Sequence, residues 1–253
     1  MNRLIVVTTL FAVSLASAQN ATENTPQPVL DALNNSTPTS HASCVEFAKR
    51  IPFERQAVPS SLKGLVPKGA RTRLVQPLSD SDTLIVYEGA HPEADNLEPD
   101  EPDTNLSIVR DKQIAYHLAM KNVRMPSGSV RDWGKNAVAM DAAQLCSPDA
   151  PLTFIVTQAG NHGGFYFALQ RTGTGYRFIQ VSTADQGRLV LFPKTPNRVE
   201  VWDSAGPNEC TGCPKPFFVK TFDLDGQLFR LSSVRKTKRQ YSGFQDRELL
   251  LHR

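Results

Sequence analysis

Over much of the chain apolar and polar residues alternate with a period of two, which sends successive side chains to opposite faces of an extended strand. Ile114, Tyr116, Leu118 and Met120 follow this rule, as do Val199 and Val201 between Arg198 and Glu200. Two other stretches, Thr153-Phe154-Ile155-Val156-Thr157 and Phe165-Tyr166-Phe167-Ala168-Leu169, are continuously apolar and bounded by turn residues, which also predicts strands. A mainly β chain is the expectation.

The strands recur in one plan. Three blade-like units are predicted at about residues 84–120, 153–179 and 198–231, each a strand ending at a small residue and glycine, then a loop, then a hairpin. The hairpin turns are Asp111-Lys112, Gly173-Thr174-Gly175 and Asp225-Gly226, the last flanked by alternating strands. Aligning Gly160 with Gly206 and Gly175 with Gly226 shows that units two and three differ mainly by an extra loop holding Cys210 and Cys213. Such a period belongs to propeller blades, but about four to eight blades usually close a ring. Either residues 62–78 supply a further degenerate strand set or the units form an open, curved sheet stack. The alanines of residues 136–145 also permit a helix there.

The N-terminus reads differently. Arg3, the uncharged run from Leu4 to Leu15 and Ala16-Ser17-Ala18 have the layout of a cleavable export signal over residues 1–18, with Gln19 the first mature residue. Residues 19–43 are rich in Asn, Thr, Ser and Pro and are expected as a flexible leader, followed by a β-rich domain over 44–253. Ser43 before residues 44–50, with Glu46 at the capping-box position and Pro52 as a stop, predicts one short N-terminal helix.

With 40% apolar and 21% charged residues the composition is that of a globular protein, and a net charge of +3 makes no electrostatic case for nucleic acid. No apolar run reaches the roughly 18 residues of a membrane-spanning helix, so no membrane insertion is expected. Four cysteines, Cys44, Cys146, Cys210 and Cys213, follow the signal, and an even number in an exported chain predicts disulfides. Three pairings are open. Cys210 with Cys213 and Cys44 with Cys146 is the one expected, because the first loop is local and leaves the distant pair to staple the N-terminal arm.

The succession Val138-Ala139-Met140-Asp141, Pro148-Asp149, Phe154-Ile155-Val156, a glycine-rich loop with a hairpin, and Phe222-Asp223-Leu224-Asp225-Gly226-Gln227-Leu228-Phe229 resembles exported bacterial proteins with degenerate VCBS or FG-GAP repeats. The resemblance spans about residues 136–241. It implies blade-like β structure and a non-catalytic role outside the cytoplasm, and it implies no ligand.

Calcium loops of that repeat class place oxygen ligands at the first, third, fifth and ninth positions, which here are Asp141, Ala143, Leu145 and Asp149; two ligands are missing, so no metal is expected. Cys210-Thr211-Gly212-Cys213 precedes Pro214 and Pro216 rather than a helix, which favours a structural disulfide over a redox or zinc site. His162 in Gly160-Asn161-His162-Gly163-Gly164 mimics an esterase oxyanion loop, yet no Gly-x-Ser-x-Gly elbow accompanies it. His41, His91, His117 and His252 show no metallohydrolase spacing. The basic run Arg235, Lys236, Lys238, Arg239 reads as an edge strand protected by charge.

No catalytic residue, cofactor or metal is therefore assigned. The leading expectation is a secreted or periplasmic non-catalytic module that binds an unidentified protein or a cell-surface or cell-wall component. The competing class is a secreted hydrolase whose site assembles only in three dimensions, marked by two facing carboxylates or a histidine beside an acid in a pocket.

Overall fold

A computed structural model describes residues 39–41, 44–51, 57–89, 104–120, 123–124, 130–131, 140–147, 151–159, 163–185, 187–205, 213–226, 228–241 and 248–252. The strands run in order Thr39–His41 (β1), Cys44–Ile51 (β2), Arg71–Pro77 (β3), Asp82–Glu88 (β4), Thr104–Arg110 (β5), Gln113–Ala119 (β6), Val123–Arg124 (β7), Val130–Arg131 (β8), Met140–Leu145 (β9), Leu152–Ala159 (β10), Gly163–Arg171 (β11), Tyr176–Asp185 (β12), Arg188–Leu191 (β13), Arg198–Ser204 (β14), Phe217–Asp225 (β15), Leu228–Lys236 (β16) and Glu248–Leu251 (β17). The mainly β expectation holds. The expected signal over residues 1–18 lies outside the described residues.

The three stretches each fold as four strands, where a strand and a hairpin were the minimum expected. Each unit is an antiparallel meander: β3-β4-β5-β6, β9-β10-β11-β12 and β13-β14-β15-β16. The additional strand is the first of each unit: β3 falls in the stretch 62–78 where further strand structure is one of two expectations, β9 in the stretch left open, and β13 where none is expected. All three units also carry a bulge at the same place, between their third and fourth strands: at Ile108/Val109, Tyr166/Phe167 and Thr221/Phe222. In each case the register leaves the extra residue, Ala115, Val181 or Ser232, on the fourth strand. A bulge raises local twist and bends the strand that holds it, so the three units share a curvature device as well as a connectivity.

The meanders stack face to face as three sheets, with no closed barrel among the described residues, and the middle sheet is buried on both sides. On one side Ala143, Phe154, Val156, Tyr166 and Ala168 join Leu189, Val199, Val201 and Phe229 of the third sheet. On the other, Ala142, Ile155, Phe165, Phe167 and Leu169 join Leu74, Leu84, Val86, Leu106 and Ile108 of the first. This is why β10 and β11 read as continuous apolar runs: a strand between two layers needs no polar face. The outer face of the first sheet, with Ile85, Tyr87 and Val109, is covered by Val58, Leu62, Leu65 and Val66 around a one-turn 3-10 helix, Ser60–Leu62.

Residues 44–50 do not form the expected helix. They belong to β2, which pairs antiparallel with β9 and widens the middle sheet. Cys44, Phe47, Ala48 and Ile51 are the buried positions, a spacing that looks helical. It is the sum of two strand faces: Phe47 and Ile51 pack toward the first sheet, whereas Ala48 packs toward the third. Glu46 caps nothing; its Oε1 accepts a hydrogen bond from the Cys146 backbone N–H at 3.0 Å. β1, inside the segment expected as leader, pairs with β2. The stretch left open between helix and strand forms β9 from Met140 onward. At the other end, β17 adds to β13 in parallel, giving the third sheet the order β16-β15-β14-β13-β17.

Candidate functional site

Cys44 and Cys146 form a disulfide across 102 residues of sequence, their Cα atoms 6.0 Å apart. The bond lies beyond the last register pair of β2 and β9, Phe47 with Gln144, joining a residue three positions before Phe47 to one two positions after Gln144. Cys213 is also disulfide-bonded. Its expected partner, Cys210, lies outside the described residues, as do His162, His91 and Asp149. Asp141 is no loop ligand. It sits on β9 with 2% exposure and takes a hydrogen bond from Arg50 Nε at 3.0 Å. Ala143 and Leu145 share its strand face and lie in the apolar cluster. Among the described residues there is no group of three or more His, Cys, Asp or Glu side chains placed to hold a metal, and no helix long and apolar enough to cross a membrane.

The densest polar constellation was not singled out in the sequence. Asp82, fully buried at the start of β4, faces Arg110 directly in register across β5. Arg110 donates from Nε to Oδ1 at 2.7 Å and from Nη2 to Oδ2 at 2.9 Å. The Ser81 hydroxyl donates to Oδ1 at 3.0 Å and the Tyr176 hydroxyl to Oδ2 at 2.7 Å. Arg171 Nε lies 3.2 Å from Oδ2. Arg171 and Tyr176 flank the Gly173–Gly175 turn of the second unit, so the constellation ties one end of the first sheet to a hairpin of the second. Arg110, Arg171 and Tyr176 stand at strand ends and Ser81 just before β4, and the bidentate arginine fixes the angle between the carboxylate and its strand.

The electrostatics follow from that geometry. Burial pushes the Asp82 carboxyl up, but the hydrogen bonds from Arg110, Tyr176 and Ser81 and the charge of Arg171 outweigh it and bring the pKa from 3.8 to about 2. Burial, reinforced by the bond to Asp82, raises Tyr176 well above an ordinary phenol. Burial alone pushes the neighbouring Tyr116 up to about 12; the two rings lie 6.5 Å apart. A general base needs a free lone pair and an accessible proton donor. Asp82 has two contacts on one oxygen and three on the other, about the four lone-pair sites of a carboxylate already filled. Chemically this is a brace.

Two further groupings bear on function. Ser107 on β5 and His117 on β6 are partners in register, with Ser107 Oγ 3.0 Å from His117 Nδ1. The serine is 1% exposed and sits mid-strand, whereas an activated nucleophile is presented to substrate on a sharp turn. On the third sheet Arg188 and Trp202, opposite each other on β13 and β14, form a buried cation–π pair with the guanidinium carbon 4.1 Å from the ring centre. Trp202 Nε1 donates to Glu200 at 3.3 Å, and Phe217 and Tyr241 close around the ring.

The last strand of that sheet carries exposed apolar surface. Leu231 is 54% and Val234 52% exposed on β16, and Phe218 is 37% exposed beside them on β15. Register puts all three on one face, the face that buries Phe229 against Phe154 at the other end of the strand. The edge-strand reading of the basic run thus holds for Arg235 and Lys236, while Thr237 and Tyr241 beyond them turn inward and are buried. No protein-family model, curated protein or solved structure matches this chain.

Proposed function

We propose that this chain is an exported, non-catalytic β module, built from degenerate blade repeats of the VCBS or FG-GAP kind, that holds a protein or cell-wall component outside the cytoplasm. One observation carries the reading: the strongest ionisable cluster, around Asp82, has its hydrogen-bonding capacity spent on joining two sheets. Charge used in this way rigidifies a scaffold, and rigid β scaffolds present partner-binding surface at their loops and edges. The Cys44–Cys146 bond suits an oxidising compartment.

The test is fractionation of cells that export the protein, followed by sedimentation with isolated envelope. The reading predicts recovery outside the cytoplasm and retention on envelope material by a saturable, competable contact. A protein confined to the cytoplasm, or one that turns over ester or glycoside substrates, would contradict it. The hydrolase alternative rests on Ser107 and His117: a fluorophosphonate probe that labelled Ser107 in the native protein, and not in His117→Ala, would establish it instead.

A further inference from the structure

We propose that the outer stretch of β16, residues 231–236, accepts an extended segment of a partner protein in which acidic and apolar residues alternate. This deepens the binding role proposed above and rests on it. β16 pairs with β15 on one side, and among the described residues no strand pairs with its other side. An open strand edge offers a row of backbone donors and acceptors that an extended chain can complete.

The two faces of that edge differ in chemistry, which is what selects the partner. One face presents Leu231, Val234 and Lys236, with Phe218 and Lys220 next to them on β15. The opposite face presents Arg230, Ser233 and Arg235. An added strand would lay alternate side chains beside each set, so apolar residues meet Leu231 and Val234 while acids meet Arg230 and Arg235. Residues 228–239 include Arg230, Arg235, Lys236, Lys238 and Arg239 and no acidic residue. Arg230 and Asp225 form an ion pair in which each side chain is 66% exposed, and exposed pairs of this kind are weak and readily exchanged. Arg235 keeps inner contacts, with Nη2 3.8 Å from the half-buried Glu200 and the guanidinium 5.7 Å from the Trp202 ring centre, while its side chain is still 47% exposed to an added strand. The same positive run opposes a second copy, because antiparallel pairing of two β16 edges sets like charges across from one another.

The test uses the full exported protein with its disulfides intact and three labelled octapeptides: glutamate alternating with valine, lysine alternating with valine, and four glutamates followed by four valines. Fluorescence anisotropy should show the alternating acidic peptide binding at least about tenfold more tightly than either control, with affinity falling as salt rises. Leu231→Asp with Val234→Asp should weaken it by about tenfold or more, and Arg235→Glu, on the face that meets the acids, should also weaken it. Hydrogen exchange on the unmodified protein gives a second readout, in which the peptide slows the amides of residues 231–236. Equal binding of the alternating and block peptides would reduce the contact to charge attraction and overturn the proposal. So would the absence of exchange protection, or a dimer dissolved by the Leu231/Val234 variant. If the peptides fail while the protein still binds envelope saturably, this edge is wrong and the binding role stands; if both fail, the role falls too.

Discussion

Asp82 makes the stability of the fold depend on acid through a single side chain. Its carboxyl is held at about pH 2 in the folded protein against 3.8 as the ordinary value. Above pH 4 it is ionised in both states and the folded state gains from Arg110, Tyr176 and Ser81. As pH falls from about 4 to about 2 the unfolded chain takes up its proton first, and about 2 kcal/mol of stability is lost. Asp82→Asn should flatten stability across that window and lower it at pH 7 by about 2–4 kcal/mol, read by urea unfolding. Tyr116 works in the other direction: burial favours its neutral form, so stability should decline as pH rises from about 10 toward about 12, an effect that Tyr116→Phe should reduce. A smaller change is expected at the first hairpin, where Asp111 and Lys112 both have positive φ, 49° and 62°. A two-residue turn of that shape favours Asn-Gly, and Lys112→Gly should raise the unfolding midpoint through a gain of about 0.5–1 kcal/mol. The turn was legible in the sequence as a polar pair. The Asp82 constellation was not, because its members are scattered from Ser81 to Tyr176 and meet only when two sheets stack.

At the level of elements, the sequence displayed second, third and fourth strands and showed the first ones poorly. β3 alternates strictly in burial and lies where strands were one expectation; β9 and β13 lack a clear alternation for physical reasons. β9 reads Met-Asp-Ala-Ala-Gln-Leu and is buried at every position, since small residues fit where a strand lies between two layers. β13 has only four residues, all buried, Arg188 among them. β2 imitates a helix because its two buried faces interleave. A packing prediction follows: Ala143, fully buried opposite Phe154 and Ala48, has no room for a larger side chain. Ala143→Leu should therefore cost about 1–3 kcal/mol, whereas Leu231→Ala on the exposed edge should stay within about 0.5 kcal/mol.

The whole molecule is held by the stacking of its sheets and by a disulfide. The disulfide fastens the N-terminal strand to the middle sheet, closing a loop of 102 residues. The chain-entropy account assigns such a loop about 4–5 kcal/mol, so Cys44→Ala with Cys146→Ala should lower the denaturant midpoint far more than Cys213→Ala with Cys210→Ala. That the cysteines would be bonded was readable from their even number, and the Cys44–Cys146 pairing was one of three open to Cys44. The order of layers was not readable, because nothing in one unit's sequence states which neighbour covers it. Yet that order is the central claim, and native-state hydrogen exchange tests it most directly. If the second unit lies between the other two, the amides of β10 and β11 exchange last, only by global unfolding, while those of the outer strands β6 and β16 exchange far earlier. Exchange in β10 and β11 as fast as in β6 and β16 would contradict the stack.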